Sequence, residues 1–170
     1  GGIGSACARR FAALGATVWG TTRSGEPVEA VDRLVPLEEL PSVIAEVDAV
    51  VVTLPGTTQT HHLIGAALLS RARPGLILAS VGRGSVIDEA ALLRALDDGT
   101  VSFAALDVFE VEPLAQDSPL WSHPRVLVSP HTAALDGREE ERIARRFAAD
   151  ATRLLDGAAL HAVVDTVEFY

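Results

Sequence analysis

Short apolar runs rich in Val, Leu and Ala recur at residues 17–20, 49–54, 76–80, 103–106 and 126–128, and stretches with helical spacing separate them. Runs of strand length that are apolar on both faces belong to sheets covered on both sides, and the helices between them return the chain to start a new parallel strand. The pattern predicts a doubly wound parallel α/β sheet, Rossmann-like in its winding. Helical stretches are expected over residues 5–14, closed by Gly15; over 37–47, where Pro41 is tolerable only near a first turn; and over 63–71. A further helix takes Asp88 as N-cap, Leu92, Leu93 and Leu96 as its apolar stripe, and Gly99 as its stop. A last long helix over 138–155 is expected to bury Ile143, Phe147, Ala151 and Leu154 while the charged run 138–142 faces water.

Composition narrows the partners. A chain of 170 residues, 48% hydrophobic, has the apolar content for one domain with a sizeable core. Its formal net charge of -9 works against binding a phosphate backbone, so nucleic acid is not an expected partner. The run from Val47 to Leu54 is interrupted by Asp48 and stopped by Pro55, far short of the ~20 apolar residues of a membrane span. The single cysteine, Cys7, shares a helix face with Phe11 and Leu14; it offers no disulfide or metal cluster and reads as a small buried packing residue in a reducing cytoplasm. No metal site is expected, and none of His61, His62, His123 and His161 is assigned chemistry.

In a doubly wound sheet, ligands bind in the crevice beyond the carboxyl ends of the strands. The loops that matter are therefore 21–24, 55–60, 81–85, 107–113 and 129–134. Three of them carry Arg83, Glu112 and His131, each a few residues past an apolar run. A guanidinium, a carboxylate and an imidazole meeting at one edge suit a small anionic carbonyl substrate. At the start of the chain, Gly1-Gly2-Ile3-Gly4 runs into a helix and then a short strand. That is the second half of a dinucleotide fingerprint, in which bare backbone N–H groups at a helix N-terminus hold a pyrophosphate; Gly-rich helix entries also occur wherever a helix packs closely on a strand.

Taken in order and spacing, Gly1-Gly2-Ile3-Gly4, Leu54-Pro55, Val81-Gly82-Arg83-Gly84, Ala105-Leu106-Asp107-Val108-Phe109, Glu112-Pro113, Pro119-Leu120-Trp121 and Ser129-Pro130-His131 resemble the D-isomer-specific 2-hydroxyacid dehydrogenases. That family includes glyoxylate/hydroxypyruvate reductases and phosphoglycerate dehydrogenases. The resemblance implies an oxidoreductase that transfers a hydride between NAD(P)H and a small 2-keto or 2-hydroxy acid. In it, Arg83 binds the substrate carboxylate and carbonyl, His131 is the acid/base, and Glu112 orients the ring. It also implies a cytoplasmic homodimer.

The cofactor-binding residues implied by the same resemblance are Gly1, Gly2, Ile3 and Gly4 at the pyrophosphate, and Leu54, Pro55 and Thr60 on the adenosine side. Val81, Gly82, Arg83, Asp107, His131 and Ala133 belong to the nicotinamide end. At the end of the second strand, the NAD-preferring pattern has an acid for the ribose 2′-hydroxyl, whereas this chain has Thr22-Arg23-Ser24 after Thr21. Hydroxyls and a guanidinium suit a 2′-phosphate, so NADP is favoured over NAD, with Glu26 as the nearby acid that speaks for NAD.

Against the family pattern, the first fingerprint glycine, the strand before it and the substrate domain are missing from these residues. The expected organisation is an N-terminally incomplete dinucleotide-binding domain over 1–157 and a tail over 158–170 that packs toward the absent domain. Two other functions remain: a non-catalytic, nucleotide-sensing interaction protein of the same fold, and an inactive truncated remnant.

Overall fold

In the computed structural model, which describes residues 1–23, 25–161 and 163, the elements follow in the order α1 (Gly2–Ala13), β1 (Trp19–Gly20), β2 (Arg33–Leu34), α2 (Leu40–Val43), β3 (Ala49–Val52), α3 (Ala66–Leu69), β4 (Leu76–Ser80), α4 (Glu89–Asp97), β5 (Val101–Leu106), β6 (Val126–Val128) and α5 (Glu139–Leu155). The last four strands form one parallel sheet in the order β3-β4-β5-β6, and β1 and β2 form a separate parallel pair. This is the Rossmann-like α/β winding that the alternating pattern predicts. The chain divides into two compact units, Gly1–His131 and Thr132–Tyr170, and both sheets lie in the first.

The register of the four-stranded sheet sets up everything at its carboxyl edge. Val52, Ser80, Leu106 and Val128 are successive partners across the strands, so all four strands end in one row. The amides of the next residues continue the ladder, with Val81 N–H donating to Val52 O, Asp107 N–H to Ser80 O and Ser129 N–H to Leu106 O. A register shift at Leu76/Ile77 leaves Ser102 as an extra residue in β5, so Ala104 and Leu106 share the buried face with Leu78 and Ser80. The Ser102 hydroxyl donates to Gly75 O at 2.8 Å.

Apolar burial against that face holds the unit together. Leu76, Leu78, Val101 and Ala104 pack with Leu68 and Leu69 of α3 and with Ala91, Leu92, Ala95 and Leu96 of α4. Helix α4 starts where expected: the Asp88 carboxylate accepts the Ala91 N–H at 2.8 Å, and Gly99 past its end takes φ +83°. On the opposite face, Ile77, Phe103 and Leu127 stay exposed.

Several expectations are corrected. The 37–47 stretch is a broken helix: a 3-10 turn over Leu37–Glu39, four residues of α2 with Pro41 in its first turn, and a second 3-10 turn over Ile44–Glu46. Proline has no N–H to donate, and the six residues between Pro36 and Val43 leave little room for an α-helical ladder. Helix α3 occupies only four of the residues expected over 63–71, because the segment 62–64 pairs instead with 85–88: His62 N–H donates to Ser85 O, Ile64 N–H to Val86 O and Asp88 N–H to Ile64 O. Cys7 is half-buried rather than buried, since Phe11 and Leu14 on its helix face are themselves exposed. Strand β2 has too few residues to leave a periodic signal.

In the second unit, α5 forms as expected, but its apolar stripe is not buried: Ile143 is 61%, Phe147 75% and Leu154 68% exposed. No second helix or strand among the described residues of that unit is available to receive it. Its charged face is tied by Arg145–Glu141 and Arg146–Asp150 pairs one turn apart. The expected tail falls at residues 162 and 164–170 outside the described residues.

Leu92 and Leu96 are fully buried against the sheet. Leu96→Ala should lower the unfolding free energy by about 2–5 kcal/mol, read as a lower urea midpoint with an unchanged slope.

Candidate active site

The loops beyond the strand row bring Glu112 and His131 into contact, and Arg83 opens the loop after β4 at the same edge. Arg83 leaves β4 in extended conformation and caps the 3-10 turn Gly84–Val86. Behind it the packing is too tight for side chains. A Cβ on Gly82 would lie 2.5 Å from Leu54 O, and one on Gly84 would lie 1.8 Å from Phe109 O. The loop after β5 is therefore seated directly on the loop after β4, and only glycine allows it.

Glu112 sits three residues past Phe109 and uses both carboxylate oxygens. Oε1 accepts the Phe109 N–H at 2.9 Å, which folds the loop back on itself, and Oε2 accepts from His131 Nδ1 at 2.8 Å. His131 has φ +54°, a left-handed backbone that costs a non-glycine residue about 1 kcal/mol or more. The site is half open, with side-chain exposures of 50% for His131 and 36% for Glu112.

The hydrogen bond from His131 holds the Glu112 carboxyl below the usual carboxylate range; partial burial opposes this, and the Phe109 N–H and the charges of His131 and Arg83 add to it. Arg83 Nη1 donates to Gly82 O at 3.0 Å.

The predicted cofactor residues are distributed along the same edge and at α1. Gly1 is the N-cap of α1 and has no side chain to cap it, and a Cβ on Gly1 or Gly2 would meet nothing within 4 Å. The first N–H groups of this twelve-residue helix carry no side-chain cap, as suits a pyrophosphate. Ile3 is exposed there, and Gly4 lies against the Thr53 side chain. Leu54 and Pro55 are half-buried, and Thr60 knits the 55–60 loop: its hydroxyl donates to Pro55 O at 2.7 Å and accepts the Thr57 N–H at 2.9 Å.

Val81 is half-buried at the end of β4. Asp107 is buried, and its carboxylate accepts from the Ser129 hydroxyl at 2.6 Å. Beyond β1, the Thr21 hydroxyl donates to Val35 O, the Thr22 hydroxyl accepts from Gly25 N–H, and Arg23 is exposed. Ser24 lies outside the described residues, and Ala133 belongs to the second unit.

Sequence reasoning missed three features. Ser129 reads from the sequence as a loop residue, with nothing to mark it as the partner of Asp107. Glu89 and Glu110 exchange backbone hydrogen bonds across 21 positions, and His62 Nε2 stands 3.4 Å from Glu110 Oε1. Only the clustering of acids in the IDE (87–89) and VFEVE (108–112) segments hints at the carboxylate pair. Among the described residues, no group of three or more His, Cys, Asp or Glu side chains could hold a metal ion.

Comparison with known proteins adds to this geometry. The family model described as D-isomer specific 2-hydroxyacid dehydrogenase, NAD binding domain, matches residues 1–133. Glyoxylate/hydroxypyruvate reductase B of Pectobacterium carotovorum subsp. carotovorum (strain PC1) is 50% identical over 93 residues, 55% of this chain and 29% of that protein. Its namesake from Yersinia enterocolitica is 43% identical over 133 residues, 77% of this chain and 40% of that protein. The chain thus spans less than half the length of these curated relatives.

Two solved structures cover the whole chain at a TM-score of 0.91. One is a D-isomer specific 2-hydroxyacid dehydrogenase from Xanthobacter autotrophicus Py2 in complex with NADPH and MES, 38% identical, of which 69% is covered. The other is an NADPH-dependent glyoxylate/hydroxypyruvate reductase from Sinorhizobium meliloti in complex with NADP and sulfate, 33% identical, of which 54% is covered.

If the His131 ring is what lowers the Glu112 carboxyl, His131→Ala should let it titrate back up toward the ordinary carboxylate range, followed by ¹³C NMR of the carboxyl. Because the folded value is depressed, the stabilisation from this pairing is present above the ordinary carboxylate pKa and is lost as pH falls through the lowered value.

Proposed function

Because the chain belongs to the D-isomer specific 2-hydroxyacid dehydrogenase family, we propose that it is the dinucleotide-binding and acid/base part of an NAD(P)-dependent reductase of small 2-keto acids of the glyoxylate or hydroxypyruvate class. What supports this most is the 2.8 Å pairing of His131 with Glu112 at the edge where β4, β5 and β6 end, the edge from which Arg83 also leaves. The names of the Pectobacterium and Sinorhizobium relatives point to the same substrate class.

When bound, the reduced nicotinamide supplies a hydride to the carbonyl carbon. The chain's own groups do the rest. Arg83 holds the substrate carboxylate and carbonyl oxygen through its planar fork and draws electron density toward that oxygen. With Nδ1 engaged by Glu112, Nε2 of the protonated His131 delivers a proton to the developing alkoxide and takes it back in the oxidative direction. Glu112 fixes the ring's orientation through Nδ1.

The open N-terminus of α1 would take the pyrophosphate over Gly1, Gly2, Ile3 and Gly4. Leu54, Pro55 and Thr60 would shape the adenosine side, with Thr60 acting through the loop it ties. Val81, Gly82 and Asp107 would frame the nicotinamide end, where the Ser129 hydroxyl orients the Asp107 carboxylate. Thr22, Arg23 and Ser24 favour the 2′-phosphate of NADP over the 2′-hydroxyl of NAD. The dinucleotide-binding domain is taken to run over 1–157, with 158–170 as a tail toward a substrate domain, in a cytoplasmic homodimer. No helix among the described residues is long and apolar enough to cross a membrane.

The test follows nicotinamide absorbance with NADPH or NADH and glyoxylate, hydroxypyruvate or pyruvate, using the whole protein. His131→Ala should lower turnover by ~10²–10⁴-fold. Arg83→Lys should chiefly raise KM and weaken carbonyl polarisation. Full turnover in His131→Ala would overturn the assignment.

A further inference from the structure

Resting on the acid/base role proposed for Glu112 and His131, we infer that Glu110 is a positioning residue, clamping the Glu112 loop by exchanging hydrogen bonds with Glu89. The loop after β5 lies on the Cβ-less backbone of Gly84, with no side chain between. Steric seating alone leaves it free to slide or lift. Two consecutive amides in the loop are pinned by carboxylates: Phe109 N–H by Glu112, and Glu110 N–H by Glu89 at 2.7 Å. In return, the Glu110 carboxylate accepts the Glu89 N–H at 2.7 Å.

That second bond ends on the first residue of α4. The early N–H groups of a helix lack partners within it, and its dipole favours a negative group there. The anchor is also immobile, because α4 is the helix whose Leu92 and Leu96 are fully buried against the sheet. His62, from the loop after β3, approaches Glu110 Oε1 at 3.4 Å. One carboxylate thus touches elements that follow β3 and β4 as well as its own loop after β5.

The arrangement has a cost. Burial, and the nearby charge of Glu110, raise the Glu89 carboxyl above its ordinary range, while the N–H of Glu110 opposes the rise. Two acids facing each other for packing alone would be replaced at no loss by neutral side chains. Reciprocal amide bonds give them a use, since each acid is the acceptor for the other's backbone. The amide fixed this way is the immediate neighbour of the one held by Glu112, so loosening the clamp lets Glu112 move relative to His131. A displacement of about 1 Å at a catalytic pair costs on the order of 10²-fold in rate.

The experiment compares Glu110→Ala with Glu110→Gln in the whole protein. It measures kcat and KM with NADPH and glyoxylate and follows the Glu112 carboxyl by ¹³C NMR titration. In Glu110→Ala, kcat is expected to fall by about 10- to 100-fold with KM little changed, and Glu112 to titrate higher as its contact with His131 loosens. Glu110→Gln should restore most of both, because its amide oxygen still accepts the Glu89 N–H. If Glu110→Ala fails to fold, Glu89→Ala, which removes the opposite bond, should give the same shifts.

A folded Glu110→Ala or Glu89→Ala protein with native kcat and native Glu112 titration would overturn the clamp. So would a Gln variant as impaired as the Ala variant. A native protein that reduces no 2-keto acid would sink the proposed activity, whereas the Glu112 titration would still report on the clamp.

Discussion

The alignment of Val52, Ser80, Leu106 and Val128 across four parallel strands is the constraint on which the site depends. Parallel strands cannot be joined by tight turns, so every connection crosses over and every loop at this edge leaves in the same direction. The loops after β4, β5 and β6 each begin with an amide still bonded to the neighbouring strand, which fixes the first residue. Residues as far apart as 83, 112 and 131 need only a few further backbone angles to meet.

Those angles are set by unusually close backbone packing and by carboxylates. Glycines at 82 and 84 let three loops stack with backbone against backbone, at separations where any Cβ would collide. Acidic side chains then act as backbone acceptors. Glu112 bonds Phe109, Glu110 and Glu89 bond each other, and Asp88 caps α4. In this chain, acids build the loop edge, and only the second oxygen of Glu112 is turned to His131.

Much of this edge was legible from residue order. The runs 76–80 and 126–128 became β4 and β6 with the bounds expected, because Val, Leu and Ala there are hemmed in by turn residues. Asp88 and Gly99 marked the ends of α4 because capping is a local interaction, decided within four residues. Arg83, Glu112 and His131 could be placed at one edge because parallel topology sends all strand ends the same way. The segments that misled were those where long-range pairing competes with local helix formation. Residues 63–64 have helical spacing, yet Ile64 hydrogen-bonds to Val86 and Asp88 instead. The stripe on α5 has a helix's periodicity, but periodicity does not say whether another surface is there to cover it.

By itself, then, the order of residues determined the parallel α/β winding, the ends of its best-capped helix and the identity of the guanidinium, carboxylate and imidazole, because these depend on local propensity and on a topology with few solutions. Only the tertiary structure decided that Glu112 divides its two oxygens between Phe109 and His131, that Ser129 serves Asp107, and that Glu89 and Glu110 hold each other's backbone. Such pairings join residues separated by up to 22 positions, with no periodicity to announce them. They arise only once packed strands and bare glycines have brought the loops within the 3 Å or so that a hydrogen bond requires.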